Sequence, residues 1–180
     1  SLGPAEGGWL ASVNYLGYLL GAIIASLVSD MQVKDRLYRI GLVVAVVTTA
    51  GMGLTENIWL WSILRFLAGL SCAAGMLIGS GLILHWLMRN NHRGELGIQF
   101  SGVGLGMVLS AVAVELMNAV LDWRQQWFVF AVLGAVILVP AWVWLPRPEP
   151  TPAAVNSKTM DDSPPDSSFI KLFAFAYFCA

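Results

Sequence analysis

Arg65-Phe66-Leu67-Ala68-Gly69-Leu70-Ser71-Cys72-Ala73-Ala74-Gly75 sets an arginine inside an apolar run that extends from Ile58 to Leu87. A bilayer span takes about 20 mostly apolar residues, so this run is long enough to cross a membrane. A guanidinium stays protonated there, and placing it in hydrocarbon costs from about 3 to more than 10 kcal/mol, depending on the reference state. A residue that expensive has to face a partner or a water-filled path. Arg65 is therefore the first functional candidate, and the other spans decide what it can meet.

Of the 180 residues, 57% are hydrophobic and 12% charged, with a mean hydropathy of +0.70. Soluble domains carry about 25% charged residues, so the chain reads as an all-α polytopic membrane protein. The net charge of −1 comes with no basic patch, and no nucleic-acid partner is expected. Cys72 and Cys179 both sit in apolar runs, which points to neither a disulfide nor a metal site. No cofactor is expected either: Gly102-Val103-Gly104-Leu105-Gly106 follows no strand and lies in a span, so it is not a nucleotide loop.

Five spans are expected, over residues 8–29, 37–54, 58–87, 97–121 and 127–145. Irregular backbone cannot face lipid, so each is a helix, and together residues 1–145 form a transmembrane bundle. Residues 146–168 hold six prolines among Ser, Thr, Asp and Asn and read as a linker. A further span begins near Phe169, and residues 169–180 are its start. Ser1 is not a methionine and Ala180 falls within an apolar run, so a piece of a longer protein is expected. Lys34, Arg36, Arg39, Arg89, Arg93, Arg147, Lys158 and Lys171 gather on one side, against Arg124 alone on the other. By the positive-inside rule the linker is cytoplasmic and residue 1 lies outside. Trp9, Trp59, Trp61, Trp123 and Trp127 then mark the outer interface, and Trp86, Trp142 and Trp144 the inner one.

Helices followed by a long cytoplasmic linker and more helices, together with Arg65-x-x-x-Gly69, resemble the major facilitator superfamily (MFS), whose members have twelve helices in two halves. Gly8-Trp9-Leu10-Ala11-Ser12, Asn14-Tyr15-Leu16-Gly17-Tyr18 and Gly102-Val103-Gly104-Leu105-Gly106 resemble its YbfB/YjiJ-type subgroup. The resemblance implies the N-terminal six-helix half of that fold without helix one: helices two to six and the start of helix seven. It also implies a secondary active transporter in the bacterial inner membrane, moving a small molecule by alternating access, with proton coupling as a further expectation. Many members carry G-x-x-x-D-R-x-G-R-[RK] after helix two. Here Ser26-Leu27-Val28-Ser29-Asp30-Met31-Gln32-Val33-Lys34-Asp35-Arg36 keeps the acid and some bases but loses the pattern. Helix five also lacks the Gly-Pro step of the family's antiporter motif.

Within the spans, Arg65 lies six residues past Trp59, about 9 Å below that interface at 1.5 Å per residue, and Glu115 sits at a similar depth on the next helix. The two are expected to interact directly or through water, either as a structural ion pair or as a substrate and proton site; the alternative is two side chains that snorkel outward independently. As a substrate site, Arg65 would attract an anionic or carbonyl-bearing group. Cys72, Met76 and Gly79 share the helical face of Arg65 and Gly69; the family resemblance makes that stripe a cavity wall, and the alternative is helix packing. Gly17, Gly21 and Ala25 on the first span, with Gly69 and with Gly102, Gly106 and Ser110 on the fourth, are expected to let helices approach closely. Asn14 and Tyr18 stand on the first span's small face with polar groups for helix or substrate contact. A scaffold or channel subunit is the alternative class. An intramembrane enzyme fits worse, since Ile78-Gly79-Ser80-Gly81 lacks the first glycine of G-x-S-G, and no catalytic residue is expected.

Overall fold

A computed structural model of the chain describes residues 3–90 and 97–144. Among them there are helices and no strands. The order is α1 (Pro4–Leu27), α2 (Met31–Leu54), α3 (Ile58–Ala73), a π-helical turn (Ala74–Ile78), α4 (Gly79–Arg89), α5 (Gly97–Asn118) and α6 (Trp123–Trp144). α3, the π turn and α4 run on as one span, which makes five spans long and apolar enough to cross a membrane. The chain is an integral membrane protein with an all-α fold. The expected linker at 146–168 and the expected span from Phe169 lie outside the described residues.

Local chemistry sets the helix starts. Pro4 occupies the first turn of α1, where a missing N–H costs nothing, and Glu6 Oε2 accepts from Gly3 N–H at 2.9 Å. Asp30 caps α2 by accepting from Gln32 N–H at 2.8 Å. Asn57 caps α3 by accepting from Trp59 N–H at 2.9 Å. The cap at Asp30 corrects the expected boundary at residue 37. Helix α2 begins at Met31 and takes in Lys34, Asp35, Arg36 and Arg39, because a capped helix continues through charges that hydropathy assigns to a loop. α6 likewise begins at Trp123 rather than at residue 127.

α1 lies against α3 through glycines. A β-carbon on Gly17 would collide with the carbonyl oxygen of Phe66, and one on Gly69 with that of Asn14. One on Gly21 would come within 2.7 Å of Ala73 Cβ. α2 approaches the π turn the same way, with Gly41 opposite Ala74 and Gly79 under the ring of Tyr38. Small side chains let these backbones meet where lipid supplies no hydrophobic drive between helices.

α2 also packs along α6, and the far end of that contact carries a buried ion pair. Arg39 Nε donates to Asp35 at 3.0 and 3.1 Å, Arg39 Nη1 donates to the carbonyl of Trp142 at 2.7 Å, and the guanidinium lies 5.3 Å from the Trp142 ring centroid. Residue 146 is proline and has no N–H to offer the Trp142 carbonyl four residues back. Arg39 supplies that donor and sets a positive charge at the negative end of α6. α5 stands apart: none of its described residues is buried. It is joined to the bundle by Gln99 Nε2 donating to Ser80 Oγ at 2.9 Å and Asn118 accepting from Gln126 Nε2 at 2.9 Å.

Candidate functional site: the Arg65 cavity

At the tryptophan-rich end, Leu10, Met52 and Trp61 form a small core with Ile58, Leu64 and Trp127 against it. Trp61 donates its indole N–H to the Met52 carbonyl at 3.2 Å and meets Trp123 edge to face at 5.9 Å. Trp9 donates to Ser62 Oγ at 3.0 Å, which fixes the start of α1 on α3. Across the rim, Arg124 donates to Glu56 at 2.6 Å.

These contacts hold open a cavity of about 680 Å³ lined by Glu6, Leu10, Met52, Glu56, Ile58, Trp61, Arg65, Trp123 and Trp127. Arg65 is half-buried in it, its guanidinium 5.2 Å from the centroid of the Trp127 ring. A second cavity of about 390 Å³ on the α1 side is lined by Gly7, Leu10, Ala11, Asn14, Tyr15 and Arg65. Arg65 thus faces both spaces.

The expected pair with Glu115 does not form. Among the described residues Arg65 has no ion-pair partner, and Glu115 is exposed on α5. The physical reason is that neighbours in sequence are not neighbours in this bundle. α6 brings Trp127 to Arg65, so a π face rather than a carboxylate meets the buried charge.

The expected wall along one face of the third span also breaks up. Gly69 is closed against α1 and Gly79 against Tyr38, while Cys72 is exposed and Met76 half-buried inside the π turn. The π turn shifts the register, so steps of three and four cease to mark one face beyond Ala74.

Of the other candidates, Asn14 shares the smaller cavity with Arg65, whereas Tyr18 is half-buried with its backbone N near Gly69. Gly17 and Gly21 meet α3 and Ala25 is half-buried. Gly102 and Gly106 meet nothing within 4 Å, and Ser110 is exposed with its hydroxyl returned to the Met107 carbonyl. In the described structure these three residues of α5 therefore pack against no helix, because α5 touches the bundle mainly at its two ends.

Sequence reasoning missed the rest of the lining. Trp61 and Arg65 are four apart, as are Trp123 and Trp127, and that spacing puts each pair on one helical face. Asp35 and Arg39, also four apart, were missed as well. Among the described residues no group of His, Cys, Asp or Glu could hold a metal ion.

The chain matches, over residues 1–180, the family described as Uncharacterised MFS-type transporter YbfB. It is 24% identical over 136 residues to the "Uncharacterized transporter mfc1" of Schizosaccharomyces pombe, covering 75% of this chain and 28% of that protein. It is 25% identical over 136 residues to the "Efflux pump radE" of Floropilus chiversii, covering 76% and 25%. It is 22% identical over 165 residues to the "Niacin transporter NiaP" of Acinetobacter baylyi, covering 91% and 36%. The chain thus spans about a quarter to a third of the length of these relatives. No solved structure matches. With the match running from its first residue to its last, the chain belongs to the YbfB-type family of MFS transporters.

Proposed function

We propose that this chain forms part of a secondary active transporter that moves a small molecule by alternating access, and that the Arg65 cavity lies on the substrate path. The observation that carries this is a guanidinium inside a membrane span that faces open space and has no carboxylate partner among the described residues. A purely structural arginine in hydrocarbon is expected to be paired. The relatives' printed names include a niacin transporter and an efflux pump, so they support transport in common rather than one substrate or direction.

In this reading the tryptophan-rich end faces outward, and residue 1 with it. The Arg39 end and residues 146–168 face the cytoplasm of a bacterial inner membrane. Asn14 joins Arg65 at the site, and Tyr18, Cys72 and Met76 line the path at other stages of the cycle. An anionic group on the substrate would settle at Arg65. Proton coupling, if Glu115 serves it, runs from α5 rather than through an Arg65 pair.

The test is flux through the complete transporter in proteoliposomes. Arg65→Gln is expected to lower flux at least tenfold, with Arg65→Lys recovering part of it. Wild-type flux in a folded Arg65→Gln protein would sink the assignment. Glu115→Gln is expected to flatten the pH dependence; an unchanged profile removes Glu115 from coupling.

A further inference from the structure

We infer that the Arg65 cavity is built for a small monocarboxylate carrying a flat aromatic or heteroaromatic ring. The inference rests on the transport reading above and names the substrate class for that site. Three features of the cavity carry it.

The charge comes first. Arg65 offers five N–H donors in a planar fork. Among the described residues its one recorded partner is the π face of Trp127, which leaves the guanidinium without a carboxylate there. A carboxylate can therefore take parallel hydrogen bonds from Arg65 without first breaking a salt bridge.

The walls come second. Trp61, Trp123 and Trp127 line the same space as Arg65. Trp61 has already spent its N–H on the Met52 carbonyl. Together the three indoles give the cavity aromatic surface, which favours a flat ring in offset or edge-to-face contact. A volume of about 680 Å³ is ample for a single small ring and falls in the usual range for small-molecule sites.

The rim comes third. Glu6 and Glu56 border the cavity; Arg124 offsets Glu56 at 2.6 Å, and Glu6 binds the Gly3 N–H. Among the described residues, one cation without an ion-pair partner beside the acidic groups of the lining matches one negative charge and disfavours two.

The experiment measures ligand-dependent shifts in thermal midpoint for the complete transporter, using benzoate, cyclohexanecarboxylate, benzamide and phthalate as probes. Benzoate is expected to bind at least tenfold tighter than each of the other three. Arg65→Gln should abolish that preference over benzamide, and Glu6→Gln should narrow the gap between benzoate and phthalate. Equal binding of benzoate and cyclohexanecarboxylate, still lost in Arg65→Gln, overturns the ring requirement and leaves the transport reading standing. Failure of all four probes, with solute flux still dependent on Arg65, overturns the substrate class alone. Anionic thiosulfonate labelling of R65C, mapped by mass spectrometry, tests the cavity itself. No labelling from either face of the membrane means the cavity is closed in the complete protein and overturns both readings.

Discussion

Alanine at Gly69 or Gly17 probes the contact on which the bundle is assembled. The added methyl at Gly69 would strike the Asn14 carbonyl oxygen and come within 2.8 Å of Tyr18 N. At Gly17 it would strike the Phe66 carbonyl oxygen and lie 3.0 Å from Phe66 C. Main-chain atoms cannot turn aside as a flexible side chain can, so α1 and α3 must separate. Overpacking costs about 1–3 kcal/mol, and a backbone obstacle puts both sites at the upper end. Alanine's better helix propensity returns about 1 kcal/mol, which leaves a net loss of about 2 kcal/mol for each variant. One separation of the helices relieves both collisions, so the double variant should cost well under the sum of the singles. Gly8→Ala is the control: its methyl meets nothing within 4 Å, and it should be neutral or stabilising by up to about 1 kcal/mol. The assay is the thermal midpoint of purified protein in detergent, followed by size-exclusion chromatography. Gly69→Ala as stable as Gly8→Ala, or strictly additive singles, would refute the reasoning.

Arg39→Gln leaves Asp35 buried without its cation and frees the Trp142 carbonyl; the expected loss is about 3–5 kcal/mol, with Asp35→Asn in the same chain restoring part of it in thermal unfolding. Glu56→Gln, by contrast, breaks a pair whose side chains are 49% and 67% exposed, and the midpoint should move by no more than about 0.5 kcal/mol equivalent. Gln99→Leu removes a buried amide oxygen that has no partner among the described residues, along with one bond to Ser80. It should leave stability within about 1 kcal/mol of wild type, and a larger loss in denaturant titration would show that Ser80 needs that donor.

Much of the fold was legible because bilayer spans declare themselves by length and apolarity, and a charge as rare as Arg65 stands out against them. Helix ends were less legible. Hydropathy stops at the first cluster of charges, whereas the helix stops where its backbone groups find caps. Asp30 was readable as a cap, yet Lys34, Asp35, Arg36 and Arg39 pulled the expected start of α2 to residue 37. The π turn at Ala74–Ile78 was not readable at all, since it inserts into the helix without a proline or any other break in the apolar pattern. The expected stripe from Gly69 to Gly79 runs across that turn, where steps of three and four no longer hold one face.

The partner of Arg65 was misread because chain order stood in for contact order. Depth and charge can be counted along one helix, but which neighbour crosses at that depth is set by packing elsewhere. A β-carbon on Gly53 would lie 3.2 Å from both the Arg124 carbonyl oxygen and Trp127 Cβ, so its lack of one lets α6 sit close beside α2, with Trp127 at Arg65. The outcome separates two arginines of one bundle by what meets them. Arg39 is 7% exposed and held by a carboxylate, a carbonyl and a ring together, and removing one partner of such a pair costs several kcal/mol. Arg65 is held by one ring, a contact of about 0.5–2 kcal/mol. A ligand carboxylate can compete with the second arrangement and not with the first. The arginine that is cheaper to re-pair is the one that faces the cavity, and that difference in restraint is what fits Arg65, rather than Arg39, to a substrate that must bind and then leave.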